Sequence, residues 1–208
     1  MNKTILTLLL TIIISSVAFP LLSDGTWTEI KIKDGIKVLT RSVKGSEINE
    51  YMGIGIIEAS LSEVNAVLDD LPQLVNWMPN CQVARLIGRQ SANHYFSYQV
   101  LKTPFIASDR DYVIETNIII TPQKITRTFK AVNHPDIPIN EKLVRITELN
   151  GEWILTRKDD RTELVYRIRI NPAGNLPEEL INSSSQKLPY RTISNLITFI
   201  KKAKLAKK

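Results

Sequence analysis

The stretch TPFIASDRDYVI, residues 103–114, leads from a proline–aromatic turn through a polar cluster into a strand of alternating residues. A second stretch, NPAGNLP at residues 171–177, connects the end of a strand to a long amphipathic helix. Neither stretch supplies a nucleophile, a set of metal ligands or a phosphate-binding loop. Both therefore indicate architecture rather than covalent chemistry.

Alternation with period two, which is typical of β-strands, continues on both sides of these stretches. Asp34-Gly35 is a favoured hairpin turn, and Gly53 and Gly55 share one strand face, which lets another element approach closely. The predicted strands cover residues 27–33, 36–43, 51–57, 82–89, 94–101, 110–121, 124–132, 143–149, 152–158 and 162–171.

One helical segment interrupts the strands after the third of them. Ser60 is a favourable N-cap, and Glu63 completes a capping box. Pro72 ends this helix or restarts it as a short second helix at residues 73–77. The sequence thus predicts a helical insert between two groups of strands.

The final helix is predicted to begin at Pro177, to end near residue 205 and to be kinked at Pro189. Its apolar residues align on one side, which predicts that it covers a curved antiparallel sheet in an α+β domain. Leu188 lies on that side, with polar residues on or near it: Asn182, Ser185 and Thr192. Two interpretations stay open, namely helix–sheet packing with satisfied hydroxyls or a space left for a ligand.

The first residues have the pattern of a secretory signal peptide. An apolar run at residues 4–14 follows a basic start and is shorter than the roughly 20 residues that span a bilayer. An uncleaved anchor is the alternative. We predict a signal peptide at residues 1–18, a linker at 19–26, one domain at 27–205 and a basic tail at 206–208, in an exported, periplasmic monomer.

Charge and cysteine content limit the classes of function. The net charge is +6, and the lysines at residues 201–208 either complement the helix dipole or contact anionic lipid head groups. No nucleic-acid-binding motif is present. Cys81 is the one cysteine and is expected to be buried. His94 and His134 lack neighbouring zinc ligands. We expect no metal, cofactor or nucleic-acid partner.

Several short motifs, taken in order, resemble the START family of StAR-related lipid-transfer domains. They are Asp34-Gly35-Ile36-Lys37-Val38, Trp77-Met78-Pro79, Pro104-Phe105 with Asp109-Arg110-Asp111-Tyr112-Val113, Gly151-Glu152-Trp153, and Pro172-Ala173-Gly174 with Leu176-Pro177. The resemblance implies a helix-grip fold, in which the sheet wraps the last helix around a hydrophobic tunnel that carries a lipid. Some sterol-binding members have an arginine where this chain has Thr116, which favours a neutral or lipid-tail ligand here.

The strand faces nominate residues to line such a tunnel. On the strand after the polar cluster, alternate residues form an apolar row that should face the helix. Thr116 in that row could bond a ligand or the backbone. The candidates on strands are Tyr98, Tyr112, Ile114, Thr116, Ile118, Trp153, Tyr166 and Ile168, and those on the helix are Asn182, Ser185, Leu188 and Thr192.

Two further features have competing interpretations. Asp109, Arg110 and Asp111 could be a catalytic acid cluster, but an ion-pair lock that fixes the turn is the more natural prediction. Ile137 and Ile139 lie in a proline-stiffened loop that either gates the tunnel or packs into the domain.

The sequence therefore predicts binding and transport of a lipid or other hydrophobic molecule without chemistry, with transient contact to a membrane surface. An enzyme on the same architecture, such as a cyclase or hydrolase, is the first alternative, because fold alone does not determine function. A module that binds a peptide or protein partner in its groove is the second.

Overall fold

The computed structural model describes residues 25–103 and 108–206. The predicted signal peptide, most of the linker, the Pro104-Phe105 turn and the last two residues of the basic tail lie outside them. The strands are β1 (Thr28–Lys33), β2 (Ile36–Val43), β3 (Ser46–Ile57), β4 (Cys81–Ser91), β5 (His94–Leu101), β6 (Arg110–Ile120), β7 (Lys124–Val132), β8 (Val144–Arg145), β9 (Glu148–Lys158) and β10 (Arg161–Asn171). The helices are α1 (Leu61–Asp69), a 3₁₀ helix (Leu71–Asn76), α2 (Glu178–Ser185) and α3 (Leu188–Leu205).

The strands form one curved sheet in the order β1-β2-β3-β10-β9-β7-β6-β5-β4. All neighbours in this path are antiparallel, and the short β8 adds a parallel pair beside the start of β6. Helix α3 packs across β2, β3 and β10. The predicted α+β helix-grip architecture is confirmed. Among residues 25–103 and 108–206, no helix combines the length and apolar character needed to cross a membrane.

The hairpin between β1 and β2 has the predicted geometry. Asp34 and Gly35 both adopt left-handed backbone conformations, with φ of 52° and 73°. That pair of angles matches the twist of the flanking strands, which is why Asp-Gly pairs favour tight hairpins. Tyr190 of α3 donates a hydrogen bond to the Asp34 carboxylate, so the turn is also tied to the final helix.

The predicted strands differ most from the structure in two places. β3 starts at Ser46 rather than at residue 51, because a turn at Gly45 (φ 75°) extends the hairpin with β2. The strands predicted at 143–149 and 152–158 are instead the short β8 and a continuous β9. Gly151 lies inside β9, and a Cβ there would stand 2.6 Å from the Phe129 ring. The glycine therefore marks close packing within a strand rather than the end of one.

Helix α1 has the predicted capping box. The Ser60 hydroxyl accepts from the Glu63 amide at 3.3 Å, and a Glu63 carboxylate oxygen accepts from the Ser60 amide at 2.7 Å. The Ser60 hydroxyl also donates to the Glu63 carboxylate at 2.7 Å, and this bond, together with that from the Ser60 amide, lowers the pKa of Glu63 to about 2. The cap thus fixes where the chain leaves β3 and where α1 begins to cover the sheet.

The kink predicted at Pro189 is a break. Helix α2 ends at Ser185 and α3 begins at Leu188, with Pro189 in its first turn, where a missing amide hydrogen costs nothing. C-terminal to this break, α3 buries Ile193, Leu196 and Ile200 against the sheet. The final helix is therefore two segments, of which α3 carries the core contacts.

Gly53 allows α3 to sit directly on β3. A Cβ at this position would lie 2.7 Å from Ile193 Cδ1 and 2.9 Å from Pro189 Cβ. We expect Gly53→Ala to lower the free energy of unfolding by about 1–3 kcal/mol, since the helix must shift outward to accommodate the methyl group. Urea denaturation measures this change.

Gly88→Ala in β4 is the matched control, because a Cβ at position 88 would have no atom within 4 Å. That substitution should be neutral or stabilising, as alanine loses less chain entropy on folding than glycine. Equal destabilisation by both variants would show that strand conformation, and not the approach of α3, sets the cost.

Cys81 is free and buried at the start of β4, as expected from its isolation in the sequence. Burial raises the pKa of its thiol to about 11. A thiol with this pKa is neutral at physiological pH and packs as a small apolar group.

Candidate functional site

A cavity of about 80 Å³ lies between the concave face of the sheet, the segment from α1 to residue 79, and the start of α3. Each sheet strand from β5 to β10 except β8 contributes alternate residues to it. The described lining residues are Leu68, Leu71, Leu74, Trp77, Met78, Pro79, Tyr95, Ser97, Gln99, Leu101, Tyr112, Ile114, Thr116, Arg127, Phe129, Leu149, Trp153, Tyr166, Ile168, Ile170 and Leu188.

Aromatic rings form one wall of the cavity. Trp153 stacks on Tyr166 with 4.0 Å between ring centroids, and Trp77 meets Trp153 edge-on at 6.2 Å. Phe129 also stacks against Tyr166, with 6.3 Å between the ring centroids. Register explains the grouping, because Tyr166 pairs with Trp153 across β10 and β9 on the inward face. The wall is flat, apolar and polarizable.

The hydroxyl groups of Tyr112 and Tyr166 in the cavity are neutral at physiological pH. Burial raises the pKa of both Tyr112 and Tyr166 above the ordinary tyrosine value. The Tyr112 hydroxyl donates to Gln99 Oε1 at 2.9 Å. Thr116 and Ser97 add two more hydroxyls on the neighbouring strands. Apart from Arg127, the polar part of the described lining is thus made of uncharged hydrogen-bonding groups.

Arg127 is the one arginine or lysine in the described lining, and its charge is already paired. Its guanidinium donates to Asn65 Oδ1 at 2.7 Å, to Asp69 Oδ1 at 3.0 Å and to the Tyr95 hydroxyl at 2.9 Å. These bonds join β7 to α1 and close that end of the cavity. Sequence reasoning missed this residue, although alternation with Ile125 and Phe129 places it on the inward face.

Seven of the predicted ligand-binding residues line the cavity: Tyr112, Ile114, Thr116, Trp153, Tyr166, Ile168 and Leu188. Ile118 is buried in the core beyond it. Ser185 and Thr192 are buried on the helices but are not among the lining residues, and the Thr192 hydroxyl has no hydrogen-bond partner among the described residues. Most of the residues predicted from the strand faces therefore line the cavity, whereas only Leu188 of those predicted from the helix does.

Asn182 has a different role from the predicted one. Its side-chain oxygen accepts from the Asn49 amide at 3.2 Å, and its nitrogen donates to the Glu47 carbonyl at 3.1 Å. The Tyr51 hydroxyl donates to its backbone carbonyl at 3.1 Å. Asn182 therefore fastens α2 to β3 and does not line the cavity.

Tyr98 lies on the opposite face of the sheet from the cavity. Its hydroxyl donates to Asp111 Oδ2 at 3.1 Å, and the inward residues of β5 are Tyr95, Ser97 and Gln99. The prediction that Tyr98 binds a ligand in the tunnel is therefore wrong. Pairing of β5 with β6, which places Gln99 opposite Tyr112, fixes this orientation.

The predicted gate loop also lies on that outer face. Ile137 is buried beside Tyr98 and Arg85, whereas Ile139 is 71% exposed. Arg145 donates to the carbonyl oxygens of Ile137 and Pro138, which holds the loop there. Ile137 thus packs into the domain, and neither isoleucine reaches the cavity in this structure.

The cluster Asp109-Arg110-Asp111 does fix a corner of the sheet, but its partners differ from a mutual ion-pair lock. Asp111 pairs with Arg145, with Nε–Oδ1 and Nη2–Oδ2 distances of 2.8 and 2.9 Å. Asp109 accepts from the Thr103 amide at 2.8 Å, which lowers its pKa. Arg110 donates to the Pro172 and Ala173 carbonyls, so it joins the start of β6 to the chain that leaves β10.

Trp77, Tyr95, Ser97, Gln99, Arg127 and Phe129 line the cavity without having been predicted to bind a ligand. The Trp77 indole has an unusual feature, since its Nε1 is buried and has no hydrogen-bond partner among the described residues. The Trp-Met-Pro motif was a signal of the fold, but its chemistry was not recognised. No cluster of three or more potential metal ligands occurs within residues 25–103 and 108–206.

Comparison with known proteins adds an independent line of evidence. The START domain family matches residues 17–203. An uncharacterized protein of Pseudomonas aeruginosa is 30% identical over 172 residues, covering 82% of this chain and 84% of that protein. The crystal structure of a STAR-related lipid transfer protein from Xanthomonas axonopodis has a TM-score of 0.78 at 28% identity, covering 84% of this chain and 98% of that one.

A mammalian protein with a named ligand is also similar. The phosphatidylcholine transfer protein of Mus musculus is 24% identical over 169 residues, which are 78% of each chain. The similarity thus extends over most of the domain.

Proposed function

The chain belongs to the START domain family, and on that premise we propose that it binds a lipid in the cavity and carries it without altering it chemically. The aromatic and largely uncharged lining between the sheet and α3 is the observation that carries this proposal. Apolar ligand surface moved from water into such a lining contributes about 25 cal/mol per Å². A lipid tail can therefore be held by burial alone.

The cavity must enlarge to admit such a ligand. Its volume of about 80 Å³ is well below the roughly 300–1,000 Å³ of pockets that take whole organic ligands. Helix α2 is the element we propose to move, because a break at Gln186 and Lys187 separates it from α3. Few buried residues hold it, namely Ile181 and Ser185. Opening and closing of this kind accompanies ligand exchange in many proteins.

The enzyme alternative requires an acid or base facing the cavity. The lining within the described residues contains neither a carboxylate nor an imidazole. The hydroxyls of Tyr112 and Tyr166 in the lining have raised pKa values and are poor bases at neutral pH. These observations favour binding over catalysis as the function to test first.

Export and membrane contact form a second part of the proposal. A signal peptide at residues 1–18 would place the protein in the periplasm, where envelope lipids are available. We propose that it acts there as a monomer. Lysines at the end of α3, including Lys201 and Lys202, are exposed and would favour transient contact with anionic membranes. Cell fractionation of the native protein, together with N-terminal sequencing, tests export; an uncleaved N-terminus in the cytoplasmic fraction would contradict it.

Lipid extraction tests the binding function directly. We expect the full chain, expressed with its natural N-terminus and purified without detergent, to release a bound lipid that native mass spectrometry detects at close to one molecule per protein. Protein unfolded and refolded in the absence of lipid should take up lipid from vesicles and then yield the same mass shift. A protein that carries nothing and takes up nothing would contradict the proposal.

Asn182→Ala should speed up lipid exchange. The substitution removes the side-chain hydrogen bonds to Asn49 and Glu47 that fasten α2 to β3. Each bond contributes about 0.5–1.5 kcal/mol, so we expect the amides of α2 to exchange hydrogen about tenfold faster and lipid transfer between vesicles to accelerate. Hydrogen-exchange mass spectrometry and a fluorescent-lipid transfer assay measure the two effects.

Ser184→Ala is the matched control in the same helix. Ser184 is exposed, and alanine has the higher helix propensity, so α2 should stay in place and transfer should be unchanged. If Asn182→Ala loosens α2 but leaves lipid transfer at the control rate, then α2 is not the moving element.

A further inference from the structure

Two side chains of the cavity lining, Trp77 and Gln99, have N–H groups that no described residue accepts from. The Trp77 side chain is only 2% exposed and lines the cavity, yet its indole N–H finds no acceptor among the residues that the structure describes. Indole nitrogen can only donate. Unpaired buried donors are rare in proteins and call for an explanation.

The side-chain amide of Gln99, on β5, adds two hydrogen-bond donors to the cavity lining. Its Oε1 is occupied by the Tyr112 hydroxyl, and no hydrogen bond from its amide nitrogen is made to any residue in the described ranges. Gln99 is itself buried and lines the cavity. Two amide hydrogens are therefore available beside Tyr112.

The cavity lining offers no free partner to a charged group of a ligand. Arg127 is the one lysine or arginine in the described lining, and Asp69, Asn65 and the Tyr95 hydroxyl already accept from its guanidinium. The same lining offers no carboxylate to a cationic ligand group. A buried ion without a partner is strongly disfavoured, so a head group with a full charge does not fit here.

We propose that the cavity recognises an uncharged oxygen acceptor, an ester or ketone carbonyl, which accepts from Trp77 and Gln99 while the apolar body of the ligand lies against Trp153 and Tyr166. The inference rests on the proposed lipid-binding function and makes it specific. A ligand of this class satisfies the orphan donors and brings no charge. The charged part of an amphipathic lipid, if it has one, then stays outside the cavity.

The test uses methyl palmitate as the ester probe and hexadecane as a hydrocarbon probe of similar length. We expect Trp77→Phe to weaken methyl palmitate binding about tenfold, which is one decade of Kd, and to change hexadecane binding by less than about twofold. The solubility of each probe cancels because each is compared between two proteins. Gln99→Met, which keeps the side-chain length, should act in the same direction.

Nuclear magnetic resonance detects ester binding in the unmodified protein itself, and a variant is needed only to assign one signal. The chain has three tryptophans, and the signal missing from Trp77→Phe identifies the Trp77 indole proton. Methyl palmitate should move this signal downfield, as hydrogen bonding does, and hexadecane should not. Trp27→Phe, outside the cavity, is the matched control and should bind both probes like the natural chain.

Three results would overturn the inference while leaving lipid binding intact. They are equal weakening of both probes by Trp77→Phe, an unmoved indole signal on ester binding, and tighter binding of the palmitate anion than of its methyl ester. Failure of both probes and of the palmitate anion to bind would instead count against the proposed function itself.

Discussion

Replacing Arg145 with alanine is expected to lower the free energy of unfolding by about 3–5 kcal/mol, as is typical when one partner of a buried ion pair is removed. The Asp111 side chain is 1% exposed and that of Arg145 is 7% exposed. Their bidentate contact, at 2.8 and 2.9 Å, raises the pKa of Arg145. Without the guanidinium, only the Tyr98 hydroxyl is left among the described side chains to donate to the carboxylate.

Arg145→Ala should also release the loop at residues 133–142, which contains Ile137 and Ile139. Arg145 donates to the carbonyls of Ile137 and Pro138, and these bonds are lost in the alanine variant. We therefore expect faster hydrogen exchange at residues 133–142, along with a lower urea midpoint. Both measurements can be made on the same protein preparation.

Lys37→Ala is the control for the loss of a surface ion pair. Lys37 Nζ lies 3.0 Å from Glu29 Oε2, and the two side chains are 47% and 43% exposed. Ion pairs as exposed as this one contribute about 0–1 kcal/mol to the free energy of unfolding. The double variant Arg145→Met with Asp111→Leu should recover much of the stability, because no unpaired charge is left buried. A cost for Arg145→Ala no larger than that for Lys37→Ala would show that the buried pair does not hold this corner.

The elements and the inward face of β6 could be predicted because they are set by local rules. Period-two alternation placed Tyr112, Ile114 and Thr116 on one face, and the structure finds all three in the cavity. The Asp34-Gly35 turn and the Ser60 cap likewise depend on residues close in sequence. These features need no knowledge of tertiary contacts.

The orientation of β5 could not be predicted in the same way. Tyr95 and Tyr98 are three residues apart and so lie on opposite faces, which gives each face an aromatic residue. Only the pairing with β6 decides between them, and it turns Tyr98 outward. Alternation alone carries no information on this choice when both faces of a strand are partly buried.

Ion-pair partners that are far apart in the sequence could not be predicted either. Asp111 lies next to Arg110, yet its ion-pair partner Arg145 is 34 positions away and is brought beside it by the parallel pairing of β8 with β6. Arg127 similarly meets Asp69 of α1 across 58 positions. A cluster of charges in sequence thus identified a structural corner correctly but assigned the wrong bonds within it.

Thr116→Phe is expected to abolish lipid binding, with a loss of at least about 100-fold in affinity. Thr116 lies on the cavity wall opposite Phe129 in the β6–β7 register, and its hydroxyl makes no side-chain hydrogen bond to a described residue. A phenyl ring at this position occupies space in a cavity of only about 80 Å³. The ligand is then excluded, because the phenyl ring is part of the protein and cannot leave the cavity.

Stability and binding separate in this experiment. Overpacking costs typically about 1–3 kcal/mol, but the added ring also fills the cavity, so we expect the variant to stay folded and to purify without bound lipid. Asn117→Phe is the matched control, since Asn117 is the next residue of β6, points to the opposite face and is exposed. It adds the same ring to the same strand and should retain lipid.

A third variant distinguishes the hydroxyl of Thr116 from its volume. Thr116→Val keeps the shape of the side chain and removes the hydrogen-bonding group. If the hydroxyl bonds the ligand, affinity should fall about fivefold to tenfold, whereas a purely steric role leaves affinity unchanged. Native mass spectrometry of all three proteins measures bound lipid directly. Wild-type lipid occupancy in Thr116→Phe would place the ligand outside this cavity, because the apolar face from Tyr112 to Thr116 could not then be in contact with it.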